Sequence, residues 1–303
     1  WRAKYSSADG RHWIALKNYL LSHGGRTADQ IDNLDAASDK VLFSIGDPVS
    51  PEEKTPRMPS QPRSTVEAYK GLVVGYVQSG KTANYTALTA KAFDAGYQLV
   101  IVLTGIHNAL RRQTQKRMNN ELGILDSTDE RPTARSFDPN LEGGFIHSLT
   151  GEGLVDGDFK YHELQPTILN TGKFLIVTKK NANVLESLIR WLGTVKVPTL
   201  IIDDEADQAS VNTRGPGRKT PLVEGDLSAD GDPNNDPTVI NRQIRKLVKK
   251  CKGGRAYVGY TATPYANVFI SQDAFDPRYE EDLFPDDFIV SLAKPAGYMG
   301  PEE

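Results

Sequence analysis

Residues 71–85 have the sequence GLVVGYVQSGKTANY and carry two signals in close succession. Residues 71–75 form an apolar run of the length typical of a short buried strand. Residues 75–82 fit the pattern G-x-x-x-x-G-K-[ST] without a mismatch, and residues 81–95 continue as a helical pattern. A strand, a glycine-rich turn and a helix in this order predict a loop that binds phosphate.

The residue types in this loop suit the phosphates of a nucleotide. Glycines let backbone N–H groups close around the β-phosphate, and the start of the following helix favours an anion. Lys81 can reach the β- and γ-phosphates, and Thr82 can bind Mg²⁺ through its hydroxyl group. We therefore expect ATP with Mg²⁺ as the ligand. The predicted contacts are Gly75, Gln78, Ser79, Gly80, Lys81 and Thr82.

The chain beyond the loop alternates between apolar runs and helical patterns. Four more apolar runs predict strands, at residues 98–103, 174–178, 199–202 and 256–260. Helical patterns lie between and after them, at residues 108–120, 183–192 and 239–251. Strands that are apolar on both sides and alternate with helices imply a mostly parallel sheet with helices on both faces. We expect an α/β fold that binds ligands at the carboxyl ends of its strands.

An acidic turn, Asp204-Glu205-Ala206-Asp207, follows the run at residues 199–202. A carboxylate at the end of a buried strand beside a phosphate loop suits Mg²⁺, and a neighbouring glutamate can polarise the attacking water. We predict that Asp204 meets the metal and that Glu205, together with Lys81, is catalytic. The sequence also allows a shift of one residue, in which Asp203 meets the metal.

Two basic stretches are candidates for contact with nucleic acid. The first follows the run at residues 98–103, and it is predicted to begin a helix whose apolar side, Leu110 and Met118, faces the sheet. Its candidates are Arg111, Arg112, Lys116 and Arg117. The second lies on or just after the helix at residues 239–251 and contains Arg242, Arg245, Lys246, Lys249, Lys250, Lys252 and Arg255.

The helix at residues 239–251, which carries the second basic stretch, is predicted to bury five apolar residues: Ile240, Ile244, Leu247, Val248 and Cys251. A run of charge on a helix is ordinarily a solvated face, and the acidic loop 203–238 precedes this one and can partly neutralise it. We therefore favour the first basic stretch as the surface that contacts nucleic acid.

A third motif, Thr261-Ala262-Thr263-Pro264, follows the run at residues 256–260. Alone it is ordinary turn chemistry. The phosphate loop, the acidic turn Asp-Glu-Ala-Asp (a DEAD box) and the Thr-Ala-Thr motif occur in this order. This order resembles the first RecA-like domain of superfamily-two helicases. That resemblance implies that Thr261, Ala262 and Thr263 couple the nucleotide state to nucleic-acid binding.

Several longer stretches of the sequence resemble one family, the endonuclease Z-one domain. The matching stretches are GLVVGYVQSGKTANY, LRRQTQKR, DDEADQASVN, YVGYTATPYANVF and DLFPDDF, which together span roughly residues 70–300. The resemblance implies a bacterial protein encoded near restriction-modification and phage-defence genes. It also implies DNA as a partner, other defence-system subunits as further partners, and nucleic-acid-dependent ATP hydrolysis.

These signals predict two parts of the chain. Residues 1–65 are expected to form a helical extension and linker, with helices at residues 11–23 and 27–44. Residues 66–303 are expected to form a RecA-like P-loop NTPase domain with a loop insertion at 212–238. The chain begins at Trp1 and carries no second phosphate-loop pattern. We expect a second RecA-like lobe elsewhere and weak hydrolysis by this chain alone.

Two other functions stay open at this stage. The first is a nuclease that uses Asp203, Asp204, Glu205 and Asp207 as a metal cluster. Residues 285–287, Pro-Asp-Asp, have no Glu-x-Lys after them, and residues 52–54, Glu-Glu-Lys, have no Pro-Asp partner before them. The second is a non-catalytic switch in which nucleotide only controls the binding of a partner.

The composition excludes several classes of protein. A charged fraction of 25% with a net charge of −3 excludes a disordered polyelectrolyte and a globally basic protein. The single cysteine, Cys251, excludes an internal disulfide framework and a cysteine-cluster zinc site. No apolar run approaches the roughly 20 residues that span a bilayer. We expect a soluble, cytoplasmic protein without a membrane partner.

Overall fold

The computed structural model describes residues 10–48, 68–76, 80–124, 145–154, 157–160, 165–193, 196–208, 236–268, 275–276, 280–281 and 283–293. The helices are α1 (Arg11–Ser22), α2 (Ala28–Leu42), α3 (Lys81–Ala95), α4 (Asn108–Leu122), α5 (Ala182–Leu192), α6 (Pro237–Lys250) and α7 (Tyr265–Val268), with a 3-10 helix at Pro166–Asn170. The strands are β1 (Tyr69–Val74), β2 (Leu99–Thr104), β3 (Ile146–Ser148), β4 (Lys173–Lys179), β5 (Thr199–Asp204), β6 (Arg255–Thr261), β7 (Phe275–Asp276), β8 (Glu280–Glu281) and β9 (Phe288–Ser291).

Seven strands form one sheet in the order β3-β4-β2-β5-β6-β1-β9, and every neighbouring pair in it is parallel. Strand β6, which leads into the third motif, lies between the phosphate-loop strand β1 and the acidic strand β5. This order, in which a further strand separates those two, is the RecA-like arrangement. The predicted fold class, an α/β RecA-like parallel sheet, is confirmed.

Helices cover both faces of the sheet, as the apolar strands require. On one face, α3 and α4 pack on side chains such as Val100, Val102 and Val177. On the other face, α5 and α6 pack on the alternate side chains of the same strands, such as Ile101 and Ile176. Because successive residues of a strand point to opposite faces, one apolar run supplies both cores.

The two N-terminal helices pack on α3 as a further layer. Trp13, Leu16 and Ile31 lie against Ala83 and Ala87, small side chains that let the helices approach closely. Thr27 caps α2, and its hydroxyl accepts from the Gln30 N–H in a capping box. The linker expected between the second helix and residue 66 lies, apart from its first residues, outside the described residues.

A buried lysine joins the first three helices, α1, α2 and α3. Lys91 of α3 is fully buried, and its Nζ donates to the Asp35 backbone carbonyl at 2.8 Å and to the Asp39 carboxylate at 2.6 Å. It also contacts the Asp35 carboxylate and lies 4.5 Å from the ring centre of Trp13. This one cation therefore attaches α2 and α1 to α3.

Replacing Lys91 by methionine should destabilise the fold by about 3 kcal/mol. This is the low end for a broken buried ion pair, because the two carboxylates left behind are about a quarter exposed. Urea unfolding measures the change. Lys17→Met is the matched control, since its 4.0 Å pair with Asp32 is exposed and should contribute below about 1 kcal/mol. Equal losses in the two variants would contradict the assignment.

The sequence predicted incorrectly which side of α4 is buried. Met118 is buried as expected, but Leu110 is 48% exposed, so the prediction that it faces the sheet is wrong. The buried side of α4 is mainly polar and consists of Arg111, Gln115 and Asn119 around Met118. Gln115 and Asn119 bond each other at 2.8 Å, and Gln115 also donates to Ser148 at 3.0 Å. The hydrogen bonds of Gln115 and Asn119 make burial of this polar face less costly.

Candidate nucleotide-binding site

The phosphate-loop residues lie where β1 ends and α3 begins. The Gly75 N–H donates to the Thr261 carbonyl at 3.0 Å, which fixes the start of the loop against the neighbouring strand. Gly80 has φ +86°, a left-handed conformation in which a side chain would be strained. Lys81 and Thr82 then form the first turn of α3. Gln78 and Ser79, the other predicted contacts, lie outside the described residues.

Lys81 and Glu205 meet at this edge of the sheet. Lys81 Nζ lies 3.8 Å from Glu205 Oε1. The lysine side chain is 10% exposed and the glutamate side chain 37% exposed. The packing thus brings the phosphate-loop lysine and the acidic turn together, while the carboxylate stays open to a ligand.

Asp203 and Asp204 point to opposite sides of β5. Asp203 is fully buried, where its Oδ2 accepts from the Tyr257 hydroxyl at 2.7 Å and its Oδ1 lies 2.9 Å from Lys180 Nζ. Asp204 points the other way, toward α3, and its Oδ2 accepts from the Tyr85 hydroxyl at 3.2 Å. Strand alternation therefore gives the phosphate-loop side to Asp204 alone.

The Asp204 carboxylate lacks full charge compensation. Burial, and then the charge of Glu205, raise its pKa to about 6, although Lys180, the Tyr85 hydroxyl and Lys81 act in the opposite direction. A divalent cation beside this carboxylate would favour its ionised form. Mg²⁺ prefers oxygen ligands, and Asp204 and the Thr82 hydroxyl supply that chemistry. The residues present therefore fit Mg²⁺.

The protein side chains that fit Mg²⁺ at this site are few. Across the described ranges, no group of three or more His, Cys, Asp or Glu side chains could hold a metal ion. Mg²⁺ commonly takes one or two protein ligands, and phosphate oxygens and water complete its shell.

Glu205 has the one left-handed backbone among the described residues other than glycine, with φ +54°. Such a conformation is costly for a residue with a side chain unless the surroundings hold it. Here the Glu205 N–H donates to Asp204 Oδ1 at 3.2 Å, and the Glu205 carbonyl accepts from Lys180 Nζ at 2.7 Å. The Gln208 N–H donates to the same carbonyl at 2.9 Å. The turn is thus held by several bonds at once.

The third motif bonds directly to the acidic turn. The Thr261 hydroxyl donates to Asp207 Oδ1 at 2.7 Å, and the Thr263 hydroxyl donates to Asp207 Oδ2 at 2.5 Å. The Thr263 N–H donates to Thr261 Oγ1 at 2.9 Å, which closes the turn around Ala262. The phosphate loop, the acidic turn and the third motif therefore form one connected site.

Sequence reasoning missed three residues of this site: Lys180, Tyr85 and Tyr257. Tyr85 follows Lys81 by one helical turn, so the i, i+4 spacing on α3 could have indicated it. Lys180 and Tyr257 gave no local signal. Their contacts with Asp203 depend on how β4, β5 and β6 are ordered in the sheet.

The first basic stretch divides into buried and exposed residues. Arg111 is fully buried, and its guanidinium donates to the carbonyls of Gly151 at 2.9 Å and Gly153 at 2.5 Å. Because these contacts use Arg111 to hold the segment after β3, we correct its assignment and exclude it from the nucleic-acid surface. Arg117 pairs with Glu121 on the same helix at 2.8 Å. Arg112 and Lys116 are exposed, and the Arg112 Nε donates to the Glu152 carbonyl at 2.8 Å.

The second basic stretch is partly structural. The predicted apolar face of α6 is confirmed, since all five of its residues are buried. Arg245 is buried as well, and Arg255 donates to the carbonyls of Val248, Lys249 and Cys251 at 3.0 to 3.2 Å, where it caps the end of α6.

Solved structures with some similarity to this chain are helicase domains. The helicase domain of Hef from Pyrococcus furiosus is 13% identical over 74% of this chain and 35% of its own, with a TM-score of 0.40. The DUF1998 helicase MrfA bound to DNA is 12% identical over 92% of this chain and 29% of its own, with a TM-score of 0.42. Dbp5 from S. cerevisiae, bound to RNA and ADP BeF3, is 12% identical over 89% of this chain and 51% of its own, with a TM-score of 0.37.

The chain thus spans between 29% and 51% of the length of these solved chains. Since all three TM-scores are below 0.5, the RecA-like assignment rests on the strand order of this chain. No protein-family model matches the sequence, and neither does any curated protein. The narrower resemblance to the endonuclease Z-one family stays a prediction. Among the described helices, none has the length and hydropathy needed to cross a membrane.

Proposed function

We propose that this chain is the nucleotide-binding lobe of a nucleic-acid-dependent nucleoside triphosphatase, with ATP and Mg²⁺ as its ligands. The observation that carries the proposal is the 3.8 Å approach of Lys81 Nζ to Glu205 Oε1. A terminal phosphate and an attacking water placed there would meet a cation and a carboxylate at once. That combination is what hydrolysis of a phosphoanhydride needs.

Each side chain then has a separate task. The backbone around Gly80 and the start of α3 bind phosphate, and Lys81 neutralises the charge of the β- and γ-phosphates. Glu205 accepts a proton from the attacking water. Asp204 and Thr82 would hold Mg²⁺, which when bound neutralises charge on the phosphate oxygens. Asp203 has a structural task in the core, because its carboxylate already contacts Lys180 and Tyr257.

We propose that the third motif passes the state of the nucleotide to the nucleic-acid surface. Asp207 bonds to both Thr261 and Thr263, so a shift of the acidic turn on hydrolysis would move the third motif with it. Hydrolysis at a useful rate would need a second RecA-like lobe that supplies an arginine finger. The resemblance supports a role on DNA in restriction or phage defence, with other defence-system subunits as partners.

The decisive experiment measures ATP hydrolysis by the full-length protein with no nucleic acid, with single-stranded DNA and with double-stranded DNA. We expect hydrolysis that depends on Mg²⁺ and rises when DNA is added. Tight ATP binding with no stimulation by either DNA would favour the nucleotide switch instead.

The nuclease alternative finds little support in the contacts. Asp203 is engaged by Lys180 and Tyr257, and Asp207 by two threonine hydroxyls. Of the four carboxylates, Asp204 contacts Tyr85 of α3 and Glu205 approaches Lys81. Cleavage of plasmid DNA with Mg²⁺ and without nucleotide would nevertheless establish a nuclease.

Reversing charge on the exposed part of α4 should weaken DNA binding and leave ATP affinity unchanged. The test variant is Arg112→Glu with Lys116→Glu, because both side chains are exposed and Arg111 is not. Each lost phosphate contact should also flatten the dependence of log affinity on log salt, by a slope of roughly 0.7 to 0.9. Fluorescence anisotropy with labelled DNA at several salt concentrations measures both effects.

The matched control is Lys246→Glu with Lys249→Glu. These lysines are exposed on α6, which packs on the opposite face of the sheet from α4. The control changes the net charge by the same amount and should have the smaller effect. If the α4 variant keeps both its affinity and its salt slope, that surface is only a solvated helix face.

A further inference from the structure

Lys180 has an unusual place for a lysine. It follows the last residue of β4, its side chain is fully buried, and its Nζ lies 2.9 Å from Asp203 Oδ1. The same Nζ donates to three backbone carbonyls of the acidic turn: Asp204 at 2.9 Å, Glu205 at 2.7 Å and Gln208 at 2.9 Å. A buried ammonium group is tolerated only where its charge and its protons are compensated, and here both are.

The position of Lys180 in the sheet makes these contacts long-range. Strand β4 and strand β5 are separated by β2, so they do not pair with each other. The lysine side chain therefore links the carboxyl ends of two strands that backbone hydrogen bonds do not join. Its ammonium group binds three backbone carbonyls of the turn that carries both Asp204 and Glu205.

We propose that Lys180 is a positioning residue, which holds the acidic turn so that Asp204 faces the metal position and Glu205 faces the water position. This inference rests on the proposed function. The Glu205 backbone is left-handed, and that conformation persists only when its surroundings enforce it. The bond from Lys180 to the Glu205 carbonyl is such a restraint.

Loss of this restraint would have a defined consequence. Without Lys180, the three carbonyls lose their common donor, and Glu205 can relax toward the right-handed region. Its carboxylate would then move away from Lys81, and Asp204 would lose the fixed direction of its own carboxylate. Groups that orient metal ligands commonly contribute 10- to 100-fold to metal affinity.

The test variant is Lys180→Met combined with Asp203→Asn. It removes both members of the buried ion pair, so no unpaired charge is left in the core, and the introduced asparagine can still accept from the Tyr257 hydroxyl. Asp203→Asn alone is the first control. It leaves the charge of Lys180 uncompensated, so it should lower the free energy of unfolding, but the three protons of Lys180 still suffice for the three carbonyls. Lys179→Met is the second control, since it makes the same substitution one residue earlier, at a half-buried position.

Two measurements on the full-length protein decide the inference. The first is the gain in affinity for a non-hydrolysable ATP analogue when Mg²⁺ replaces EDTA. We expect this gain to fall roughly 10- to 100-fold in the double variant while the affinity in EDTA is unchanged. The second is amide hydrogen exchange of residues 204–208 without nucleotide, which should accelerate in the double variant. Both controls should keep the Mg²⁺ gain and the exchange of residues 204–208 that the unaltered protein shows.

The outcomes separate this inference from the proposed function. An unchanged Mg²⁺ gain and unchanged exchange in the double variant would overturn the role of Lys180. The same holds if Asp203→Asn alone reproduces both losses, because the effect would then belong to Asp203. An unaltered protein that binds no nucleotide would overturn the proposed function, and the exchange measurement would still decide whether Lys180 holds the turn.

Discussion

Lys81→Ala abolishes measurable nucleotide binding and leaves the fold intact: this is the largest effect that we expect from a single substitution. Hydrogen bonds from a cation to an anion contribute more than neutral ones, about 1.5 to 3 kcal/mol each. Lys81 is expected to contact two phosphates, so its loss should weaken binding by roughly 100-fold or more. The fold should survive because Glu205, the carboxylate with which Lys81 pairs at 3.8 Å, is 37% exposed and can be solvated.

Thermal shift with ATP and Mg²⁺ measures this directly, since a ligand present at 100 times its dissociation constant stabilises a protein by about 2.7 kcal/mol. Lys40→Ala is the matched control, because Lys40 lies exposed on α2 and has no part in the proposed site. A Lys81→Ala protein stabilised by ATP as strongly as the control would show that the phosphate-loop assignment is wrong.

Glu205→Gln should keep the affinity for ATP with Mg²⁺ and remove hydrolysis by the full-length protein. Glutamine is nearly isosteric with glutamate but cannot accept a proton from water, and general-base catalysis contributes typically 10²- to 10⁴-fold. The backbone bonds of Lys180 and Gln208 to residue 205 involve its carbonyl, so they survive the substitution. Steady-state hydrolysis and analogue binding, measured on one preparation, separate chemistry from affinity.

Glu186→Gln is the control for this variant. Glu186 is exposed and pairs with Arg190 on α5, it has no part in the proposed site, and the control makes the same chemical change. Turnover in Glu205→Gln equal to that of the control would place the catalytic base elsewhere. Asp207 would then be the next residue to test, because it belongs to the same turn.

The core and the order of elements were predictable from the sequence because they depend on local pattern. Each of the five predicted strands is an apolar run buried on both faces, and a run of that kind indicates its own burial. The bounds of α3 were predicted correctly, since Gly80 and Gly96 flank an unbroken helical pattern. Strands β3 and β9 at the two edges of the sheet were missed, because short edge strands carry little periodicity.

Local pattern failed where a side chain's partner comes from a distant part of the chain. Leu110 and Arg111 were predicted on the wrong sides of α4, because the segment after β3 offers backbone carbonyls that accept hydrogen bonds from the Arg111 guanidinium. The charge of Arg111 suggested that it is exposed, but its contacts with these carbonyls allow it to be fully buried. A hydrophobic pattern contains no information about such acceptors.

The sequence by itself determined where the predicted phosphate loop, the acidic turn and the third motif lie, since each is a short run whose chemistry lies in its own residues. Only the tertiary structure decided which of Asp203 and Asp204 faces the loop, because that depends on the register and burial of β5 against β2 and β6. It alone also brought Lys180 to the acidic turn. Those contacts join strands β4 and β5 across β2, and the order of strands in a parallel sheet is set by packing of the whole chain, not by residues adjacent in the sequence.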